Sequence, residues 1–331
     1  MTLSLLDVLP VQWAERRREK LVIKRDQRLS AGASAETSVL DVLLDGRETR
    51  LVLQTLAGRQ FGSGISRREQ ARIQSLAFTH GVPTAEILLT LEPTATTTEG
   101  FVSRFLPGET LGRKIVSDPA LERARERLTE QCAEALARIH AIPLAEAEWL
   151  PRRPAAVQIE ELAVIHRSYG DGLPVFELAI SWLGRHLPRD FADVVVHGDF
   201  RNGNLIVGPE GLIAVLDWEL AHRGHPMEDL GWLCQRAWRF GEGRHEVGGF
   251  GDREALYDCY ERASGRRVDH EAVNFWEVLG TLKWGIICQW FGRQYLEGEV
   301  RSIERLAIGR RVSEVEFDLL ELIGGHADAS S

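Results

Sequence analysis

The apolar residues of this chain change period once, near Pro107 and Gly108, and that change limits the fold more than any other feature. Before it come short β-patterned runs. KLVIKRDQRL spans 20–29, and TSVLDVLLDGRETRLVLQ spans 37–54 with Asp45 and Gly46 between two strand-like halves, as in a tight hairpin. SRREQARIQSLAFTHGVP at 66–83 interrupts them with a helix. Ser66 is its cap, Ile73, Leu76 and Ala77 lie at helical spacing, and Gly81 and Pro83 stop it. TAEILLTLEPTATTTEGFVSRFLPGETL, starting at Thr84, adds two strands, so the spacing predicts five strands and one helix over 1–105. Beyond Gly108 the period is helical. Leu128, Cys132, Leu136 and Ile139 share one face, and similar patterns recur at about 156–168, 173–186, 253–264, 271–296 and 312–323. The expected fold is α+β and two-lobed, with a small β-rich N-lobe at 1–105 and a larger α-rich C-lobe at 106–331.

Composition excludes several function classes. At 331 residues, 44% hydrophobic and 27% charged, the chain can bury the core of a soluble two-lobed protein. Its 40 basic and 49 acidic residues give a net charge of −9, and its longest basic cluster, ERRREK at 15–20, is broken by Glu19. A nucleic-acid partner is therefore not expected. Cys132, Cys234, Cys259 and Cys288 form no CxxC pair, which suits reduced thiols and a cytoplasmic setting. No basic leader and no run of about 18 apolar residues is present, so no membrane partner is expected.

Within the helical half, DVVVHGDF, GNLIVG and LIAVLDW are short apolar runs separated by turns, which brings His197, Asp199, Asn204 and Asp217 to strand ends. Three chemistries use such residues. A metal hydrolase needs more ligands at suitable spacing than the two His of HRGH at 222–225. A serine hydrolase needs GxSxG, and the nearest approach, Gly32 to Glu36, ends in Glu. Phosphoryl transfer fits better. Asp199 and Asn204 stand as DxxxxN, in which a kinase Asp takes the hydroxyl proton and the Asn holds magnesium, and Asp217 closes the next apolar run. Mg²⁺ takes hard oxygen ligands and keeps waters, so one carboxylate, one amide oxygen and phosphates suffice.

HGDFRNGNLIV followed by VLDWELAHRGHPMEDLGWL resembles the catalytic loop and metal-binding segment of the aminoglycoside phosphotransferase-like family, the small-molecule branch of the protein-kinase-like fold. WEVLGTLKWG and IGRRVSEVEFDLLELI are similar to the subgroup of kinase domains linked to acyl-CoA dehydrogenases. The resemblance covers nearly the whole chain. It implies Asp199 as base or hydroxyl-orienting carboxylate, Asn204 and Asp217 as Mg²⁺ ligands, and Gly32, Ser34 and Thr37 over the phosphates of ATP or GTP. It implies a hinge at Ser103 to Leu106, including Phe105, that meets the adenine, and Glu69 as partner of a cation on the third strand. His197 and Asp229 hold the loop, and Arg201, Glu219 and Trp284 are candidate acceptor contacts.

Plainer readings stand beside these. Glu69 also suits the first turn of a helix, Ser34 and Thr37 suit turns, and Trp218, Trp232 and Trp284 suit a core. The chain departs from the family at Gln54, where relatives carry a phosphate-contacting Lys or Arg. Losing that charge-assisted bond costs on the order of 1.5–3 kcal/mol unless Arg50 or Arg59 compensates. The leading expectation is a Mg²⁺-dependent kinase of a small-molecule hydroxyl. The alternative is an impaired nucleotide- or ligand-binding pseudoenzyme of the same fold. An aminoglycoside acceptor calls for an acidic cleft, to which Glu219, Glu228 and Glu277 are candidate contributors, whereas the subgroup resemblance implies a hydroxyacyl-CoA or similar metabolite.

Overall fold

Asp45 and Gly46 turn the chain at φ 47° and 82°, left-handed values that a two-residue hairpin needs and that Gly and Asp tolerate. The computed structural model describes residues 5–29, 35–56, 61–62, 64–93, 98–189 and 191–329. The N-terminal lobe runs α1 (Leu5–Arg17), β1 (Leu21–Arg28), β2 (Ala35–Leu44), β3 (Arg47–Leu56), α2 (Arg67–Thr79), β4 (Ile87–Leu91) and β5 (Gly100–Arg104). Its sheet has the order β1-β2-β3-β5-β4 and every pairing is antiparallel. All five expected strands form, and α2 starts at Ser66 and stops at Gly81, whose φ is 74°.

Helix α1 lies outside the elements expected from the pattern, because Pro10 inside it reads as a breaker. The helix forms because Leu6, Leu9 and Trp13 recur at helical spacing. They pack with Leu40, Val42, Leu51 and Leu53 into a core separate from that of the helical lobe.

Beyond β5 come α3 (Gly112–Ser117), α4 (Glu122–His140), α5 (Ala155–Tyr169), α6 (Pro174–Arg185), β6 (Val194–Val196), β7 (Leu205–Gly208), β8 (Gly211–Val215) and β9 (His222–Gly224). The chain ends with α7 (Met227–Cys234), α8 (Arg253–Ser264), α9 (His270–Leu296), α10 (Ile303–Gly309) and α11 (Val312–Ala329). Leu128, Cys132, Leu136 and Ile139 of α4 are fully buried, as their shared face requires. Helix α9 is central and packs against α7, α10 and α11. Helix α7 escapes sequence reasoning because all eight of its residues are buried, which leaves no amphipathic period to see. His222–Gly224 of the HRGH stretch form β9, paired with β6. Among the described residues no helix is long and apolar enough to cross a membrane.

Backbone straps tie the lobes together beside the residues of interest. Ile65 N–H donates to Glu219 O at 3.0 Å, Val215 N–H to Pro83 O at 2.7 Å, and Thr84 Oγ1 to Val215 O at 2.9 Å. The segment that carries Asp217 is therefore held from the N-terminal side.

Trp13→Ala is expected to destabilise the chain by about 3–5 kcal/mol, the usual cost of emptying a large buried aromatic site. Urea unfolding measures it, and a loss below about 1 kcal/mol would show that α1 is not part of the N-lobe core.

Candidate active site

The site begins where β6 ends. His197 N–H donates to Asp229 Oδ2 at 2.8 Å and Gly198 N–H to Asp229 Oδ1 at 2.9 Å, so one carboxylate of α7 pins the turn. His140 Nε2 lies 3.1 Å from the same carboxylate, and its Nδ1 lies 2.7 Å from Tyr260 Oη. Burial pushes the Asp229 carboxyl up, but His140 and the backbone donors outweigh it and hold the group below the usual carboxylate range. Gly198 is required there: its φ is 80°, and a Cβ would stand 2.4 Å from Leu220 O.

His197 is fully buried, and burial pushes its pKa down. Its Nδ1 accepts from Asp199 N–H at 3.2 Å, which leaves Nε2–H to donate to Leu216 O at 3.1 Å. The ring is neutral and ties the turn after β6 to Leu216.

Asp199 emerges with both oxygens held. Oδ1 accepts from Trp232 Nε1 at 2.8 Å and Arg201 Nε at 3.0 Å, and Oδ2 accepts from Asn204 Nδ2 at 2.6 Å. Since Asn204 spends its amide nitrogen on Asp199, its amide oxygen is the end left to meet a cation. Asn204 O accepts from Leu216 N–H at 2.8 Å, which straps the loop after β6 to the residue preceding Asp217. Asp217 takes φ 63°, a sparsely used conformation for a non-glycine residue and one that concentrates at functional sites. Burial, with the charges of Glu219 and Asp199, pushes its carboxyl up to about 8. Carboxylates that raise one another in this way are hard oxygen donors of the kind Mg²⁺ takes. Among the described residues no three His, Cys, Asp or Glu side chains converge as a metal-holding group. His222 and His225 of HRGH are occupied by Leu220 O, Glu228 and Met227 N–H.

Asp199 opens onto a cavity of about 460 Å³ whose lining includes Glu219, Lys283, Trp232, Trp238 and Trp284. Arg201 lies in the wall with its guanidinium 4.4 Å from the Trp238 ring centroid. Arg201, Glu219 and Trp284 are thus brought together with Asp199, and Trp232 and Trp284 are cavity walls as well as packing residues. The acidic contribution expected of Glu228 and Glu277 is absent from this lining. Glu277 is buried in a two-pronged pair with Arg253 at 2.7 and 2.9 Å, and Glu228 is bonded to His222 and Gln158 at 3.1 and 3.0 Å.

On the N-lobe, Thr37 and Gln54 face each other across β2 and β3. Ser103 is buried in β5, and Phe105 follows it with the Arg50 guanidinium 5.2 Å from its ring centroid. Gly32, Ser34 and Arg59 lie outside the described residues. Glu69 differs from expectation. Its Oε2 accepts from Ser66 N–H and Oγ, both at 2.8 Å, completing a capping box rather than pairing with a cation of β3. Arg50 differs too, because it is 60% exposed and paired with Asp41 at 3.5 Å. The cation that sequence reasoning misses is Arg67. It is fully buried at the start of α2, with Nη2 3.6 Å from Glu219 Oε2 and Nη1 donating to Gln70 at 2.6 Å. Nothing in a run of surface-like arginines marks it.

The sequence profile of the phosphotransferase enzyme family matches residues 27–266, more than two thirds of the chain. The chain belongs to that family. Its fold is similar to a Ralstonia eutropha protein provisionally assigned as an aminoglycoside phosphotransferase, with a TM-score of 0.74, 22% identity, and coverage of 96% of this chain and 98% of that one. It is also similar to a thermostable mutant of the aminoglycoside phosphotransferase APH(4)-Ia, solved with AMP-PNP and hygromycin B, with a TM-score of 0.65, 16% identity, and coverage of 98% and 99%. Among curated proteins it is similar to acyl-CoA dehydrogenase family member 11 of Mus musculus, 28% identical over 273 residues, covering 76% of this chain and 34% of that protein. The chain thus spans about a third of that relative's length. As a member of the phosphotransferase family it has a protein-kinase-like fold, with an antiparallel sheet lobe and a helical lobe.

His225 yields a pH prediction. Burial lowers its pKa to about 4, and its Nδ1 accepts from Met227 N–H at the head of α7, the helix that carries Asp229. The folded pKa lies below the ordinary value of about 6.5, so the stability it contributes is complete above pH 6.5 and drains as pH falls toward 4, by at most about 1.4 kcal/mol per unit. Melting temperatures of wild type and His225→Asn from pH 7.5 to 4.5 should diverge at high pH and converge at low pH. Parallel curves would contradict this.

Proposed function

We propose that the chain is a small-molecule kinase that transfers the γ-phosphate of ATP or GTP to a hydroxyl group. In this reading the lobe at 1–105 binds the nucleotide and the lobe at 106–331 carries catalysis and the acceptor. The observation that carries it is the Asp199 carboxylate, gripped by Trp232, Arg201 and Asn204 at the wall of a cavity large enough for a metabolite. Phosphoryl transfer proceeds through a loose transition state and depends on positioning more than on a strong base. A carboxylate fixed by three side-chain donors suits such a reaction, because one lone pair orients the acceptor hydroxyl and receives its proton late. Asn204 and Asp217 would hold Mg²⁺, which when bound neutralises charge on the transferring phosphoryl group. Thr37, Gln54 and the chain from Ser103 to Leu106 would meet the nucleotide, with Gly32 and Ser34 over its phosphates. Glu69 would act only through the helix cap it closes.

Gln54 supplies no charge, and Arg67 compensates. Its buried guanidinium, 3.6 Å from Glu219 Oε2, is a fixed positive charge that also acts on Asp217. The same two facts, a neutral Gln54 and a Glu69 turned into a cap, favour the second reading, a nucleotide-binding protein with impaired turnover. Similarity to acyl-CoA dehydrogenase family members supports a hydroxyacyl-CoA or related metabolite as acceptor. The aromatic cavity supports the same class over an aminoglycoside. The free thiols of Cys132, Cys234 and Cys288, all buried, support a reducing, cytoplasmic setting.

Asp199→Asn should lower turnover by at least about a thousandfold, roughly 4 kcal/mol, with little change in nucleotide affinity. Asp217→Asn should also weaken Mg²⁺-nucleotide binding. Coupled ATP-consumption assays and fluorescent-nucleotide titration read the two effects, and near wild-type turnover by Asp199→Asn would remove the orienting role. Arg67→Gln should weaken Mg²⁺-nucleotide binding about tenfold, about 1.4 kcal/mol, and added Gln54→Lys should recover most of it. If instead Gln54→Lys alone raises turnover tenfold, nothing in the wild-type chain replaces the missing cation.

A further inference from the structure

Helix α2 follows β3 in the chain, yet its apolar face belongs to the other lobe. Ile73 and Ala77, with Ile65 before the helix and Val82 after it, sit in the large helical core, and Leu76 packs against that core. Among the described residues no side chain of α2 is part of the smaller core that joins α1 to the sheet. Both ends of the helix are tied the same way. Ahead of it Ile65 N–H donates to Glu219 O at 3.0 Å, and behind it Val215 N–H donates to Pro83 O at 2.7 Å and Thr84 Oγ1 to Val215 O at 2.9 Å. These bonds end on the two flanks of Asp217. On the sheet side the contacts of the first turn are polar, with Glu99 accepting from Arg67 N–H at 3.0 Å and Arg68 paired with Glu92.

Apolar burial is non-directional, so it seats a helix without fixing its rotation or its register. Two directional contacts with the helical lobe do that. The Arg72 guanidinium lies 4.3 Å from the centroid of the Trp149 ring, and His80, which caps α2, places Nε2 3.3 Å from Glu146 Oε2. Trp149 is itself held, because its Nε1–H donates to Glu146 O at 3.1 Å and the nearby Ala147 and Leu150 are buried in the helical core. A planar guanidinium stacked on an indole face has a preferred distance and orientation. What this fixes is Arg67, five positions back on the same rigid helix, with its Nη2 3.6 Å from Glu219 Oε2. A cation on β3 would move with the sheet. A cation on α2 moves with Asp217.

We infer that α2 is a fixed part of the catalytic lobe and that Trp149 is a positioning residue, which through Arg72 holds the helix in the register that keeps Arg67 beside the Asp217 segment. The positioning rests on the role given to Arg67 in the kinase reading above. The docking of α2 is a property of the fold and is measured without nucleotide.

Native-state hydrogen exchange of the full chain in increasing urea reads the docking. The amides of α2 should open with those of α4, and opening in step with β2 and β3 would overturn it. Fluorescent-nucleotide titration reads the positioning through a double-mutant cycle. Trp149→Ala should weaken Mg²⁺-nucleotide binding about threefold, the scale of an exposed cation–π contact, and Trp149→Phe should restore most of it. In an Arg67→Gln background Trp149→Ala should have no further effect, which a general loss of stability would not reproduce. Arg72→Ala, a change at an exposed side chain, should give the same loss and add nothing to Trp149→Ala. A loss that persists undiminished without Arg67, or no loss in either Trp149→Ala or Arg72→Ala, would overturn the positioning role and leave the contribution of Arg67 standing. Nucleotide binding by Arg67→Gln as tight as that of wild type would contradict the role given to Arg67 and the positioning with it, while the exchange pattern decides the docking.

Discussion

One buried carboxylate carries the geometry of the loop that follows β6. Asp229 accepts from two successive backbone N–H groups, those of His197 and Gly198, at the point where β6 must stop and turn. Those donors leave the β6–β9 ladder there, and an unpaired buried N–H costs about 1–3 kcal/mol, so the turn exists because Asp229 is present to receive them. The carboxylate is held in turn by His140, and His140 by Tyr260, which links α7, α4 and α8 through a chain of short polar contacts. The large helical core therefore supports the loop directly. Gly198 completes the arrangement, because no side chain fits between that turn and Leu220 O.

From this anchor the remaining positions follow by short links. His197 passes the constraint to Leu216 O through Nε2, and Asn204 O receives Leu216 N–H, so the residue preceding Asp217, which is left-handed, is held at both its backbone groups. The N-lobe adds its straps at Ile65, Pro83 and Thr84. In the proposed reading this rigidity is functional, since a loose phosphoryl transition state rewards fixed charges and gains little from acid–base strength. In the same reading the charge missing at Gln54 of the third strand is supplied from α2 by the buried guanidinium of Arg67.

Much of this is legible in the sequence, for identifiable reasons. The hairpin at Asp45 and Gly46, the buried face of α4 and the polar residues after β6 are local patterns, and local patterns survive in one dimension. The fate of Glu69 is legible as well, because Ser66-Arg67-Arg68-Glu69 has the S-x-x-E spacing of a capping box. Helix α1 is obscured by Pro10 and α7 by its complete burial. Arg67 and Arg72 are not legible at all. Each acquires its meaning from residues far away in the chain, Glu219 for one and Trp149 for the other, and no spacing rule connects them. The aromatic character of the cavity beside Asp199 is hidden for the same reason, since its aromatic walls come largely from α7, α9 and the segment around Trp238.

The measurement that bears most directly on these claims is a crystal structure of the chain with Mn²⁺ and AMP-PNP, read by anomalous scattering. A manganese peak is expected about 2.1 Å from an Asp217 carboxylate oxygen and the Asn204 amide oxygen, with the γ-phosphate turned toward Asp199 across the aromatic cavity. A metal bound elsewhere, or a γ-phosphate directed away from Asp199, would contradict the kinase reading.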